Sequence, residues 1–294
     1  MTAIISTGFF RSGTTFLFAA MRCSDQVRCY YEPLHPDIVN LATANIDHSK
    51  ELRHSIASPW HEYLDAETNR VVQGFHNNKT DFIEGINPII KGNTFAHNYM
   101  QPSREVLGYI RSLHGISADR NCSSFLGFNR LNMTAHLYKA YLPGSLLVYC
   151  DRSPASIALS VMSLVGKDKM TSIFNPNPEQ DWGISEAYKL CILDYDRTLL
   201  KLSPSFYAKV HFLVKLSYNI CAPHAEIILN PEMSLSEYLD HLCLLFAKID
   251  IDFAPARNYV EQNYRQAKHL QVHRSLLSDD DNYLISSLPS NSSL

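Results

Sequence analysis

The stretch Gly8-Phe9-Phe10-Arg11-Ser12-Gly13-Thr14-Thr15 decides how the chain folds. It opens on the last residue of Ala3 to Gly8, which reads as a short buried strand. The last two residues of the stretch begin Thr14-Thr15-Phe16-Leu17-Phe18-Ala19-Ala20-Met21, a run that reads as helix. The chain therefore opens strand, glycine turn, helix. The two glycines have the G-x-x-x-x-G spacing of a phosphate loop, with Thr14 where a nucleotide-binding version carries lysine. Such a turn aims successive backbone N–H groups at one point, and the following helix adds its positive N-terminal end, so an anion fits even without the lysine. Arg11 supplies charge within the loop, and Thr14 and Thr15 supply hydroxyl donors. A plain glycine turn would leave the run Arg11-Ser12-Gly13-Thr14-Thr15 unexplained.

Working outward, Ser124 to Phe128 reads as a strand, Asn132 to Tyr141 as a helix and Leu146 to Cys150 as a buried strand. This β-α-β pattern predicts parallel pairing. Ser153-Pro154 supplies a capping side chain and then proline at the first helical position, opening a helix to about Val165. Ala225 to Leu229 is a further short strand. Ser234-Leu235-Ser236-Glu237 has capping-box spacing ahead of the apolar stripe Leu235, Leu239, Leu242 and Phe246. Two long helical stretches, Glu186 to Leu202 and Phe206 to Ala222, are expected to cover a face of the sheet. The alternation predicts an α/β fold, a three-layer αβα domain with a central, mainly parallel sheet and a phosphate-loop-like motif after its first strand. One domain spans 1–285, with an insert at about 37–123, and the Ser- and Asn-rich tail 286–294 is expected to be disordered. Gly166 to Gly183, with Asn175-Pro176-Asn177-Pro178 and no hydrophobic period, reads equally as a lid or as an inert connection.

Composition sets the outer limits. The 294 residues are 46% hydrophobic and 19% charged, which excludes collagen-like, mucin-like and strongly disordered chains. With Lys+Arg 26 against Asp+Glu 29 there is no basic field for nucleic acid, so any polyanion must be held by local positive groups. The seven cysteines are scattered with no C-x-x-C pair, and the 13 histidines contain no H-E-x-x-H, so no metal site is expected. Cysteine usage of this kind fits a reducing compartment. The N-terminus lacks a signal-peptide pattern and no run of roughly 18 apolar residues occurs, so the expectation is a soluble, cytoplasmic protein without membrane contact. The Asn-x-Ser/Thr sites at Asn78, Asn121, Asn132 and Asn291 then carry no sugar. The apolar stripes are all required for the core, so they leave the oligomeric state open.

Phe10-Arg11-Ser12-Gly13-Thr14-Thr15-Phe16-Leu17 resembles the first-strand motif (K/R)-S-G-T-(T/S) of sulfotransferases that use 3′-phosphoadenosine 5′-phosphosulfate. In that family the motif grips the 5′-phosphosulfate. A second family motif binds the 3′-phosphate with an arginine at a strand end and a serine eight residues later, and Arg152 with Ser160 is similar to it in spacing and context. Tyr31-Glu32-Pro33-Leu34-His35 resembles the Y/F-E-P-L segment of the carbohydrate and bacterial members. Ala225 to Glu232 resembles a late strand-helix element but departs from its usual R-Y-E-D-L-x-x-D-P form, so no role is carried over there. The resemblance covers the sheet framework. Almost nothing from Asp37 to Ser123 matches, which assigns the choice of acceptor to that stretch.

The resemblance implies in-line transfer of a sulfuryl group to a hydroxyl or amine of a small molecule, natural product or sugar, with 3′-phosphoadenosine 5′-phosphosulfate as donor and no metal. Arg11 would neutralise charge on the leaving 5′-phosphate, with Ser12, Gly13, Thr14 and Thr15 completing the cradle. Arg152 and Ser160 would fix the 3′-phosphate; alone, Ser160 also reads as a small residue at a helix-sheet contact. Glu32 is the first choice for general base, ionised at neutral pH from an unperturbed pKa of about 4.3, and the other reading of it is a structural carboxylate. His35, with an ordinary pKa near ~6.5, is the rival base. Lys91 ends a short apolar run as an exposed lysine or a ligand contact, and Trp182 falls in the 166–183 loop. A different class, a kinase or nucleoside triphosphatase, requires the missing lysine and an acidic magnesium ligand, for which Asp151 is the one tempting residue. A non-catalytic nucleotide-binding scaffold is the third reading.

Overall fold

Six consecutive buried residues, Ala3–Gly8, form β1 at the centre of the sheet. The computed structural model describes residues 1–9, 11–34, 38, 60–77, 102–128, 133–162 and 184–288. Among them the chain runs β1, α1 (Thr14–Met21), β2 (Val27–Tyr31), a 3-10 turn (His61–Leu64), α2 (Ala66–Asn77), α3 (Arg104–Asp119) and β3 (Ser123–Gly127). It continues through α4 (Ala135–Tyr141), β4 (Leu146–Cys150), α5 (Pro154–Met162), α6 (Ile184–Tyr195), α7 (Phe206–Cys221), β5 (Ile227–Leu229), α8 (Leu235–Ile249), α9 (Ala254–Asn263) and α10 (Asp279–Ser287). The five strands pair in the order β2-β3-β1-β4-β5, every pair parallel.

The strands read as near-continuous apolar runs because both faces are covered, as parallel sheets require. Ile4, Cys29, Phe125, Val148 and Leu229 pack against α1, α8 and α9. Ile5, Tyr30, Leu126, Leu147 and Tyr149 pack on the other face, against α3, α4 and the end of α7. The result is the expected three-layer αβα arrangement. Strand order also locates a crevice. From β1 the chain leaves toward the β2 edge and from β4 toward the β5 edge, so the loops after these neighbouring strands diverge, and ligands of open α/β sheets bind at such a reversal.

Several boundaries move. The expected strand Ser124–Phe128 is Ser123–Gly127, the helix from Asn132 starts at Ala135, and the strand from Ala225 starts at Ile227. Glu186 to Leu202 is not one helix: α6 ends at Tyr195, and Asp196, extended at φ −158°, caps a separate 3-10 turn (Arg197–Lys201) by accepting the Thr198 amide at 2.9 Å. Nor does α6 cover the sheet. It packs with α5, α7 and α10 in an apolar cluster of its own, and only the end of α7 reaches the sheet. β2, the edge strand, was not visible in Val27-Arg28-Cys29-Tyr30-Tyr31 because Arg28 interrupts the apolar run; its guanidinium pairs with Asp65 at 3.1 Å. α10 reaches Ser287, into the stretch read as tail, on a capping box between Ser278 and Asp281. The 166–183 loop, Lys91 and Trp182 lie outside the described residues, as does most of the insert. Among the described residues no helix is long and apolar enough to cross a membrane.

Candidate functional site

The end of β1 cannot accept a side chain. A Cβ on Gly8 would stand 2.3 Å from the Cys150 carbonyl oxygen and 2.5 Å from Ser12 Oγ, so glycine here lets β1, β4 and the turn close on one another. The turn folds back through Ser12 N–H donating to the Phe9 carbonyl at 3.0 Å. Arg11 is left-handed at φ 70° and Gly13 at φ 107°. α1 then starts at Thr14 with no side chain of Gly13 to cap it, and the Gly13 carbonyl accepts the Phe16 and Leu17 amides at 3.0 and 3.1 Å. Ser12 is 1% exposed, and its hydroxyl has no hydrogen-bond partner among the described residues.

The loop after β4 meets this turn directly. Arg152 donates from Nη1 to the Arg11 carbonyl at 2.9 Å, and Arg11 donates from Nε to Ser160 Oγ on α5 at 3.0 Å. Left-handed backbone at a residue other than glycine costs about 1–3 kcal/mol. Each charge-assisted bond returns about 1.5–3 kcal/mol, so the contacts suffice to hold Arg11 in that conformation. Burial pulls the Arg152 guanidinium below its usual range, Glu232 opposes this and Arg11 reinforces it. The Arg152 Nε is buried with no partner among the described residues. Two cations thus lie together beside the ends of β1 and β4.

Beyond β5, the Asn230-Pro231-Glu232 turn closes over the same region. Asn230 Oδ1 accepts the Glu232 amide at 2.8 Å, and Pro231 lies 3.6 Å from where a Gly13 Cβ would be. Glu232 Oε1 accepts the Ser153 hydroxyl at 2.7 Å and the Ser153 amide at 3.1 Å, while its other oxygen pairs with His269 Nδ1 at 2.6 Å. Burial raises the Glu232 pKa, but the bonds from Ser153 and His269 outweigh it and the net shift is downward. Burial pushes the Asp151 carboxyl up, against Lys215 and the Arg152 amide.

Glu32 sits at the carboxyl end of β2. It is 5% exposed and left-handed at φ 47°, and its amide donates to the Gly127 carbonyl at 2.7 Å. One strand separates β2 from β1, a lateral distance of roughly 10 Å. Tyr31 bridges that gap: its hydroxyl shares a 3.2 Å hydrogen bond with Thr15 Oγ1. Thr14 is buried at the start of α1.

Arg11, Ser12, Gly13, Thr14, Thr15, Arg152 and Ser160 therefore come together around the ends of β1 and β4, and Glu32 lies at the same carboxyl end of the sheet, with β3 between. His35 lies outside the described residues. Ser160 touches Arg11, a pairing between the two motifs that their separate readings do not contain. Sequence reasoning gave no role to Glu232 or His269; the turn residues Asn230-Pro231 marked the position, but nothing in the chain links 232 to 269. Among the described residues no three His, Cys, Asp or Glu side chains are grouped so as to hold a metal ion. No model of a known protein family matches the chain, and no curated protein does.

Proposed function

We propose that the protein is a sulfotransferase that uses 3′-phosphoadenosine 5′-phosphosulfate and transfers its sulfuryl group to a hydroxyl or amine of a small molecule, natural product or sugar. The observation that carries this reading is the direct junction of the two anion-binding motifs: Arg11 to Ser160 and Arg152 to the Arg11 carbonyl. A donor with phosphate at both its 3′ and 5′ positions needs two positive sites at a fixed separation, and these bonds fix one relative to the other. The residues suit such a ligand. The Ser12 hydroxyl and the Arg152 Nε are buried donors without a hydrogen-bond partner among the described residues.

Arg11 would stabilise charge growing on the leaving 5′-phosphate oxygen as the sulfur–oxygen bond breaks. Thr15, when it accepts from Tyr31, keeps its own hydroxyl proton to donate. Glu32 would take the proton of the attacking hydroxyl or amine, a role worth typically ~10² to 10⁴ in rate. Adenosine 3′,5′-bisphosphate would leave as co-product. Calorimetric titration with that bisphosphate tests the reading: binding without magnesium supports it, whereas preference for ATP with magnesium supports a kinase-like site around Asp151.

A further inference from the structure

Glu32 is held by its neighbours' backbone, and the groups that hold that backbone come from a different part of the chain. Tyr63, in the His61–Leu64 turn, donates its hydroxyl to the Tyr31 carbonyl at 3.1 Å. Tyr109, on α3, donates its hydroxyl to the Pro33 carbonyl at 3.0 Å. With the Glu32 amide bonded to Gly127, the Tyr31–Glu32 peptide group is held at both its oxygen and its nitrogen, and the Pro33–Leu34 peptide group at its oxygen. The rings are fixed as well. Phe75 stacks on Tyr109 with centroids 4.1 Å apart, and Tyr30 and Trp60 pack on Tyr63 at 5.7 and 6.1 Å. Both tyrosines are almost fully buried, and burial raises both phenol pKa values, so they remain donors at any pH the protein meets.

We propose that Tyr63 and Tyr109 are positioning residues that clamp the carbonyls of the two residues flanking Glu32, Tyr31 and Pro33, and so set the direction in which its carboxylate leaves the end of β2. Packing alone would be served by phenylalanine. Hydroxyls at these two buried positions are explained by the carbonyls they meet, on the two residues flanking Glu32. Both tyrosines belong to the stretch between 37 and 123 that the sequence sets aside for the acceptor. An acceptor bound there would act on the direction of Glu32 through the same two bonds. The catalytic consequence rests on the role of Glu32 as base in the proposed function; the clamp itself does not.

The test uses Tyr63→Phe and Tyr109→Phe, with Tyr149→Phe as a control that removes another buried hydroxyl, bonded to Ser217 at 2.9 Å, without touching residues 31–33. Three quantities are measured: the carboxyl titration of Glu32 by carbon NMR, assigned by its loss in Glu32→Gln; the amide exchange rate of Glu32; and calorimetric binding of adenosine 3′,5′-bisphosphate. In Tyr63→Phe and Tyr109→Phe the Glu32 amide is expected to exchange about tenfold faster and its titration to move, with bisphosphate binding unchanged; Tyr149→Phe should move none of them. With an acceptor in hand, kcat should fall about 10- to 100-fold at unchanged donor KM, and the acid limb of its pH profile should move with the Glu32 titration. Folded variants with wild-type exchange and titration at Glu32 overturn the clamp. If one substitution prevents folding, the same readouts in the other decide the matter. Altered Glu32 signals in a protein that neither binds the bisphosphate nor transfers sulfuryl groups would uphold the clamp and refute the functional reading.

Discussion

The guanidinium Nε of Arg11 donates to the hydroxyl of Ser160 at 3.0 Å, although 149 residues separate them. Arg11 leaves β1 and Ser160 lies on the helix after β4, so one bond crosses the crevice where the sheet's connections reverse. Arg152 adds a second tie at the Arg11 carbonyl. The turn and the helix therefore respond to substitution as one unit, and additivity between them should fail.

Arg152→Ala removes a cation and a tie on Arg11 together. Affinity for adenosine 3′,5′-bisphosphate should fall about 10- to 100-fold by calorimetry, as expected for losing a charge-assisted bond. Ser160→Ala should have a smaller effect, and the double variant should lose less than the two losses multiplied. Wild-type affinity in Arg152→Ala would remove it from the donor site.

Glu32→Gln keeps the shape of the side chain and removes its basicity. Bisphosphate binding should be retained while turnover falls about 10² to 10⁴-fold. Unchanged turnover would transfer the base to His35 or elsewhere.

Gly8→Ala places a methyl group 2.3 Å from the Cys150 carbonyl oxygen, a backbone atom that cannot move without shifting β4. Overpacking of this kind costs about 1–3 kcal/mol or more, so the urea midpoint should fall clearly below that of wild type. A midpoint equal to wild type would mean that the strand ends are not closed on each other.

His211 gives stability an acid limb. Burial, reinforced by Lys215, lowers its pKa from 6.5 to about 4. Between these values the unfolded chain binds the proton and the folded protein does not, so stability rises with pH through that window and is lost as pH falls from about 6.5 towards 4. The change is at most about 3 kcal/mol. The ring Nδ1 also shares a 3.2 Å hydrogen bond with the Tyr207 hydroxyl, in which either group can donate. His211→Gln should flatten the denaturation midpoint between pH 6.5 and 4; an unchanged slope would place the loss in other groups.

β1 and β4 were legible to the residue because both are apolar runs bounded by turn residues, and the capping box at Ser234 and Glu237 announced α8. The edge strand β2 was not, since Arg28 looks like a break until Asp65 is seen beside it. Asp196 hid a helix end, because an acidic residue within a polar and apolar mixture gives no period of its own. At the site, Arg11 was legible as the charge within the glycine turn, and the resemblance to sulfotransferase motifs pointed to Arg152, Ser160 and Glu32. The ties between them, and Tyr63, Tyr109, Glu232 and His269, depend on tertiary contacts across 32 to 149 residues, for which no local pattern exists.

The central claim is that the crevice between β1 and β4 takes a nucleotide with phosphate at both its 3′ and 5′ positions. Calorimetric titration of the wild-type protein with adenosine 3′,5′-bisphosphate, beside ATP with magnesium, tests it most directly. Binding of the bisphosphate without metal, lost in Arg152→Ala, is the predicted result. Binding of ATP with magnesium and none of the bisphosphate would contradict it.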